Sequence, residues 1–384
     1  MRELDGERLR ASINALADAW LAESKMPCVA ATVSQHGRVL LDICAGYSDP
    51  ARQKPLRKDA VWRLASMTKP VTTAACLIGV ERGWFSLEDR IADHIPAFAD
   101  MAVGRAEKGK VLPDHKPKRD ILLYQFLTHS SGFMSSSPLS VIQAAQMPAS
   151  AYESNRAMVD YCLRNTCLTF EPGEAVGYSS YAAFDVIAVL IEKYAGMPYE
   201  RFLQENIFDP LGMKDTTYHP NAEQRSRMVT MCDRAGPGVL FGVDMGGHTF
   251  ENFAPTYTCG GAGLVGTPAD YRVFAEMLRR GGEYGGARIL SPESVRRINV
   301  RYDSPSAERP DTDSYWGLGM RVRGERAVLP EGSYGWSGAY GTHFWVDPAN
   351  DITAVLMKNM RWYDSHGGGV TSQEFEKAVA DALK

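Results

Sequence analysis

Strand-forming sequence gathers at the two ends of this chain. Cys28–Ser34 and Val39–Ala45 are rich in β-branched and apolar residues, and Gln35-His36-Gly37-Arg38 between them is a hairpin signal. The next clear strand-like runs, Trp316–Val322, His343–Val346 and Ile352–Met357, come only in the last third. An isolated two-stranded hairpin is marginal in water, so the two groups are expected to pair with each other. The chain must then return to its start. This predicts an α/β (α+β) domain built from both termini, residues 1–75 with 250–384, and a mostly helical domain, 76–249, inserted between them.

Helical periodicity supports that order. Leu9, Ile13, Leu16 and Trp20 share one face of a helix expected over 5–24. Residues 66–83 and 180–195 read as helices, and a last helix is expected over 373–383. Two more, 268–280 and 291–299, open with Thr267-Pro268 and Ser291-Pro292, where a hydroxyl caps the helix and proline fits its first turn. Residues 101–120 are highly charged with little apolar content and read as a surface loop, a flap over a site.

Composition excludes several classes. Hydrophobic residues make up 45% of the 384 and charged residues 23%, which rules out a disordered chain. The net charge of -4 offers no basic surplus for a phosphate backbone, so no nucleic-acid partner is expected. No apolar run is long enough for a membrane span, and no membrane partner is expected. MRELDGERLR lacks the apolar stretch of a signal peptide, and the seven cysteines are odd in number and scattered without a Cys-x-x-Cys pair. A cytoplasmic location follows as the expectation. The sequence leaves the oligomeric state open.

Three short motifs carry chemistry. Ser66-Met67-Thr68-Lys69 is a Ser-x-x-Lys pattern. On a helix, residues three apart lie on one face, about 4.5 Å apart along the axis, so Lys69 can sit beside the Ser66 hydroxyl. Pro70 belongs in a first helical turn, which puts Ser66 at or just before the helix N-terminus, where the dipole favours a developing alkoxide. Tyr178-Ser179-Ser180 follows the turn sequence Phe170-Glu171-Pro172-Gly173-Glu174; a phenol near a lysine ammonium can act as a base toward a serine. Gly335-Trp336-Ser337-Gly338-Ala339-Tyr340-Gly341-Thr342 has glycines spaced for close approach of another backbone or a ligand. Each motif also has a plain structural explanation: a capping serine, a packed tyrosine, a glycine turn.

Taken together, the three resemble the serine β-lactamase and penicillin-binding-protein superfamily, nearest its class C branch and the family VIII carboxylesterases. Leu127-Thr128-His129-Ser130-Ser131-Gly132, Leu168–Glu174, Gly261-Ala262-Gly263-Leu264 with Thr267–Tyr271, and Gly281-Gly282-Glu283 with Arg288–Pro292 extend the resemblance over nearly the whole chain. It implies a β-lactamase-like fold: an antiparallel sheet flanked by helices, with the site between it and the inserted helical domain. It also implies that Ser66 is the acylated nucleophile, Lys69 its proton partner and Tyr178 the general base. The backbone N–H groups of Ser66 and Ala339 would form the oxyanion hole. Trp336, Ser180 and Gly338 would meet a small-molecule substrate. No metal or cofactor is implied, and no histidine falls in an H-E-x-x-H pattern.

Two departures from the family pattern bear on the substrate. Trp336 stands where a lysine or histidine is common, and an indole attracts no carboxylate. Ser180 stands where asparagine is usual, and a hydroxyl presents no amide. Both favour neutral esters, hence a serine carboxylesterase. Lys358 and Arg361, near the last strand, could return positive charge but are expected on the surface. The competing readings are a β-lactamase, a D-aminopeptidase or amidase, an acyltransferase, and a non-catalytic binding member. An α/β-hydrolase needs Gly-x-Ser-x-Gly, and Gly335–Ala339 ends in alanine.

Overall fold

The computed structural model describes residues 1–236, 239–243, 256–302, 313–361 and 368–384. The expected domain boundary at 249/250 lies outside them. Strands β1 (Cys28–Gln35), β2 (Arg38–Asp49), β3 (Lys54–Pro55), β4 (Ser314–Trp316), β5 (Arg321–Arg323), β6 (Tyr334–Ser337), β7 (His343–Asp347) and β8 (Ile352–Met357) form one sheet. Its order is β4-β5-β6-β7-β8-β1-β2-β3, antiparallel throughout. The chain does return to its start: β1 pairs with β2 on one side and with β8 on the other, Ala30 facing Met357 and Gln35 facing Ile352.

All eight residues of β1 are buried, because helices cover both faces of the sheet. Helix α1 (Gly6–Ala22), capped by the Asp5 carboxylate, packs with the last helix, α5 (Gly368–Asp381), on one face. There Leu9, Ile13, Trp20, Trp345 and Phe375 share one apolar cluster. Burying side chains of this size stabilises by roughly 1.5–3 kcal/mol each. Against the other face lies α4 (Pro268–Arg279), followed by the larger cluster around α2 (Thr68–Glu81) and α3 (Ala182–Ala195).

Three expectations are corrected. Residues 101–120 contain a hairpin, Val103–Glu107 against Lys110–His115. Both strands are largely exposed on both sides, so the alternation that would reveal them is missing from the sequence. The run 316–322 is two strands, β4 and β5, reversed at Gly317-Leu318-Gly319. Gly319 has φ +65, and a Cβ there would sit 1.9 Å from Thr73 Oγ1. Lys358 is buried, with its amine on Thr371 Oγ1, whereas Arg361 is partly exposed and pairs with Asp233 at 3.0 Å.

Candidate active site

Ser66 lies in a single 3-10 turn, Ala65–Met67, immediately before α2. Ala65 enters that turn at φ +47, in left-handed space that a side chain rarely adopts. The turn is tied down on both sides: Leu64 N–H donates to Leu264 O at 2.9 Å, and Tyr271 Oη donates to Met67 O at 2.8 Å.

Lys69 follows one turn later on α2 and is fully buried. Its amine donates to Ser180 O and Gly261 O, both at 2.7 Å, and to Ser66 Oγ at 3.4 Å. Glycine is required where those carbonyls come from: a Cβ on Gly261 would lie 2.5 Å from Ser180 O, and one on Gly260 2.3 Å from Phe184 O. Asp185, on α3, holds the same loop, its Oδ1 accepting from Gly260 N–H at 2.8 Å. Burial pushes the Asp185 carboxyl up to about 7, against the Gly260 and Tyr257 hydrogen bonds.

Tyr178 arrives from the segment before α3. Its Oη donates to Ser66 Oγ at 2.7 Å, and Lys69 Nζ lies 4.8 Å from its ring centroid. Lys69, three residues after Ser66, and Tyr178, 112 residues after it, therefore meet at the Ser66 hydroxyl. Such a set can take a proton from the Ser66 hydroxyl and hand it on as the oxygen attacks a carbonyl.

Two residues that the motifs did not single out complete the frame. His129 is buried at φ +60. Its carbonyl accepts from Gly177 N–H at 2.9 Å, its Nδ1 accepts from Ser179 N–H at 3.0 Å, and its ring centroid is 4.6 Å from that of Tyr178. Burial, then the charges of Lys69 and Arg321, push this imidazole well below its ordinary value, so Nδ1 stays an acceptor. Trp316 lies 4.3 Å from His129 and 4.7 Å from Trp336, ring to ring. The signal for His129 was in the quoted Leu127–Gly132 motif, but its partners lie some fifty residues away.

Ser66, Tyr178, Trp336, Gly338 and Ala339 all line one cavity of about 760 Å³. Gly338 brings the two loops together: a Cβ on it would lie 2.3 Å from Leu64 O, and Thr342 Oγ1 donates to that same carbonyl at 3.0 Å. Ala339 is thus one residue, and Ser66 two, from a point of backbone contact. The Trp336 indole packs 5.5 Å from the Tyr178 ring. Ser180 is not among the lining residues; its side chain is exposed and its carbonyl serves Lys69. Among the described residues no cluster of His, Cys, Asp and Glu could hold a metal ion, and no helix is long and apolar enough to cross a membrane.

Comparison with known proteins agrees with this arrangement. The family model described as Beta-lactamase matches residues 13–363. Protein Rv1367c of Mycobacterium tuberculosis is 31% identical over 372 residues, covering 92% of this chain and 89% of that protein. Esterase EstB of Burkholderia gladioli is 26% identical over 397 residues, 96% of this chain and 94% of that one. Among solved structures, EstCE1, a hydrolase with promiscuous acyltransferase activity, superposes with a TM-score of 0.80 at 23% identity, over 98% of this chain and 99% of that one. This last likeness is one of fold.

Proposed function

The chain belongs to the beta-lactamase family of serine hydrolases, and on that footing we propose that it is a serine carboxylesterase, of the family VIII kind, acting on small neutral esters. The observation that carries the reading is the 2.7 Å contact between Tyr178 Oη and Ser66 Oγ, with Lys69 bonded to the same hydroxyl. Ser66 is the nucleophile. For this step Tyr178 first releases to solvent the proton it donates to Ser66; the phenolate then takes the Ser66 proton as Oγ bonds to the carbonyl carbon, with Lys69 bonded to the same oxygen. The N–H groups of Ser66 and Ala339 hold the oxyanion. The alcohol leaves with the proton, and water repeats the sequence on the acyl-enzyme to release the acid. Neither a metal nor a cofactor enters these steps.

The ester preference rests on the wall of the cavity. Trp336 and Trp316 line it beside Ser66 and Tyr178, while among the arginines of the same wall Arg323 is paired with Glu376 and Arg321 lies over the Trp316 ring, and the 26% relative bears the name esterase. The cytoplasm is the proposed compartment, and seven free cysteines suit a reducing environment. In this proposal the site lies where the sheet-bearing segments meet the helical segment 76–249.

Nitrophenyl butyrate turnover tests the reading. Ser66→Ala is expected to lose activity by about 10⁴-fold or more, and Ser337→Ala is expected to lose less. Side-by-side rates with a cephalosporin, a D-amino-acid amide and an added alcohol acceptor separate the ester reading from β-lactamase, amidase and acyltransferase activities. Equal rates for Ser66→Ala and wild type would sink it.

A further inference from the structure

Helix α3 runs through the core with residues 182–191 all buried, and among them Asp185 alone is charged. A carboxyl among apolar neighbours is costly unless its oxygens are bonded. Both are: Oδ1 accepts from Gly260 N–H at 2.8 Å and Oδ2 from Tyr257 Oη at 3.0 Å. Asp185 does not line the cavity, so contact with substrate does not explain it.

Gly260 is gripped from its other side as well. Thr72, three residues after Lys69 on α2, donates its hydroxyl to Gly260 O at 2.5 Å, and Tyr199 Oη donates to that hydroxyl at 2.7 Å. One residue earlier, Cys259 O accepts from Tyr218 Oη at 2.8 Å. Asp185, Thr72, Tyr199 and Tyr218 are all buried. The next carbonyl along, Gly261 O, is the one that Lys69 Nζ bonds at 2.7 Å. Lys69 and Thr72, on one face of α2, therefore hold adjacent carbonyls of one segment, and Asp185 holds that segment from α3. The second carbonyl on Lys69, Ser180 O, stands just ahead of α3, where Tyr181 O accepts from Asp185 N–H at 3.2 Å.

We propose that Asp185 is a positioning residue for the acyl transfer: by holding Gly260 it fixes the Gly261 carbonyl, which keeps the Lys69 amine beside the Ser66 hydroxyl. This deepens the esterase reading and rests on its assignment of Ser66 and Lys69. A lysine amine rides on a flexible four-carbon stem. Its place 3.4 Å from Ser66 Oγ is therefore set by its two carbonyl partners. Either form of the Asp185 carboxyl can accept from Gly260 N–H, so the grip needs no particular ionisation. Without that acceptor Gly260 N–H is buried and unpaired, and the segment must shift to find another. Asp185 acts through the two glycines and not on the reacting atoms.

Three variants test it with nitrophenyl acetate, butyrate and benzoate. Asp185→Ala removes the acceptor. Asp185→Asn keeps an amide oxygen for Gly260 N–H. Thr72→Val keeps the shape of Thr72 but removes the donor to Gly260 O. Rates are taken per folded molecule, with the folded fraction read from thermal unfolding. Asp185→Ala is expected to lower kcat by about ten- to a hundredfold with little change in KM. The factor should be the same for the three esters, because Lys69 serves the reaction rather than the acyl group. Asp185→Asn is expected to recover most of the loss. Thr72→Val is expected to lower kcat by about three- to tenfold, the worth of one hydrogen bond, and it decides the matter if Asp185→Ala does not fold. A wild-type kcat in Thr72→Val or in folded Asp185→Ala overturns the inference while the esterase reading stands. So does an Asn variant as slow as the Ala variant, or a loss that falls on KM or differs between the esters. Failure of the wild type to turn over any of the three esters removes the esterase reading, and this inference with it.

Discussion

His129 brackets Tyr178. Its carbonyl takes the N–H of the residue before the tyrosine and its imidazole takes the N–H of the residue after, at 2.9 and 3.0 Å. The phenol is thereby aimed at Ser66 from outside the turn and helix that carry Ser66 and Lys69. Replacing His129 with Phe keeps a ring against Tyr178 but leaves Ser179 N–H without its acceptor. A misplacement of about 1 Å at a reacting group can cost on the order of 10²-fold, so kcat is expected to fall by tens to a hundredfold with little change in KM. His129→Asn retains an acceptor and tolerates φ +60, and is expected to recover part of that loss. Equal kcat for the Phe variant and wild type would remove His129 from the frame.

Gly338 sets the approach of the two segments proposed to form the oxyanion hole. An added Cβ would fall 2.2 Å from Thr342 Oγ1 and 2.3 Å from Leu64 O, so Gly338→Ala must push apart the loops that carry Ala339 and Ser66. Loss of one oxyanion donor typically costs about 10²–10³-fold in kcat, and a drop of that order is expected with nitrophenyl butyrate. Thermal unfolding of the same variant shows whether the fold survives. Normal turnover would mean that the two N–H groups are not set by this contact.

Trp336 is the apolar wall. Trp336→Ala is expected to raise KM for nitrophenyl esters of long or aromatic acids by about tenfold, equivalent to about 1.4 kcal/mol of lost contact. Acetate should suffer less, since it reaches less of the indole. A uniform change across acyl lengths would show that the ring serves Tyr178, 5.5 Å away, rather than the substrate.

Asp185 ties stability to pH. Its carboxyl is pushed up to about 7 from an ordinary 3.8, first by burial. Folding therefore favours the protonated form, and the contribution is whole below the unfolded value and lost as pH rises through the folded one. The loss is on the order of 1.4 kcal/mol per pH unit across that window. Asp185→Asn does not titrate. Its melting temperature relative to wild type is expected to rise between about pH 5 and about pH 8. A gap independent of pH would place the ionisation elsewhere.

Short motifs were legible because their members are close in sequence or chemically rare in combination. Ser66, Lys69 and Tyr178 needed only a helical turn and a neighbouring turn to be found, and Trp336 needed only its place in a glycine-rich strand end. What escaped depends on contacts between distant segments. His129 acts through residues 177–179, and Asp185 reaches Lys69 through Gly260 and Gly261. Ala65 carries no mark of its positive φ. Lys358 looked like a solvated cation because a lysine seldom enters a core, yet Gly341 leaves room for its stem: a Cβ there would lie 2.4 Å from Lys358 Cε. The Gly317-Leu318-Gly319 reversal, by contrast, had its signal in plain view and was passed over by the apolar run around it.

The pairing of β1 with β8 shapes how this molecule is made. A ribosome delivers Cys28–Gln35 more than 300 residues before its neighbour Ile352–Met357. Through that interval an eight-residue strand destined for the interior has one unoccupied edge. Native closure of the sheet waits until that neighbour has been made, and such distant pairings are slow to form and open to aggregation in the interval. Chains cut short before residue 352 never acquire that neighbour, and the bare edge of β1 is left as a template for other strands.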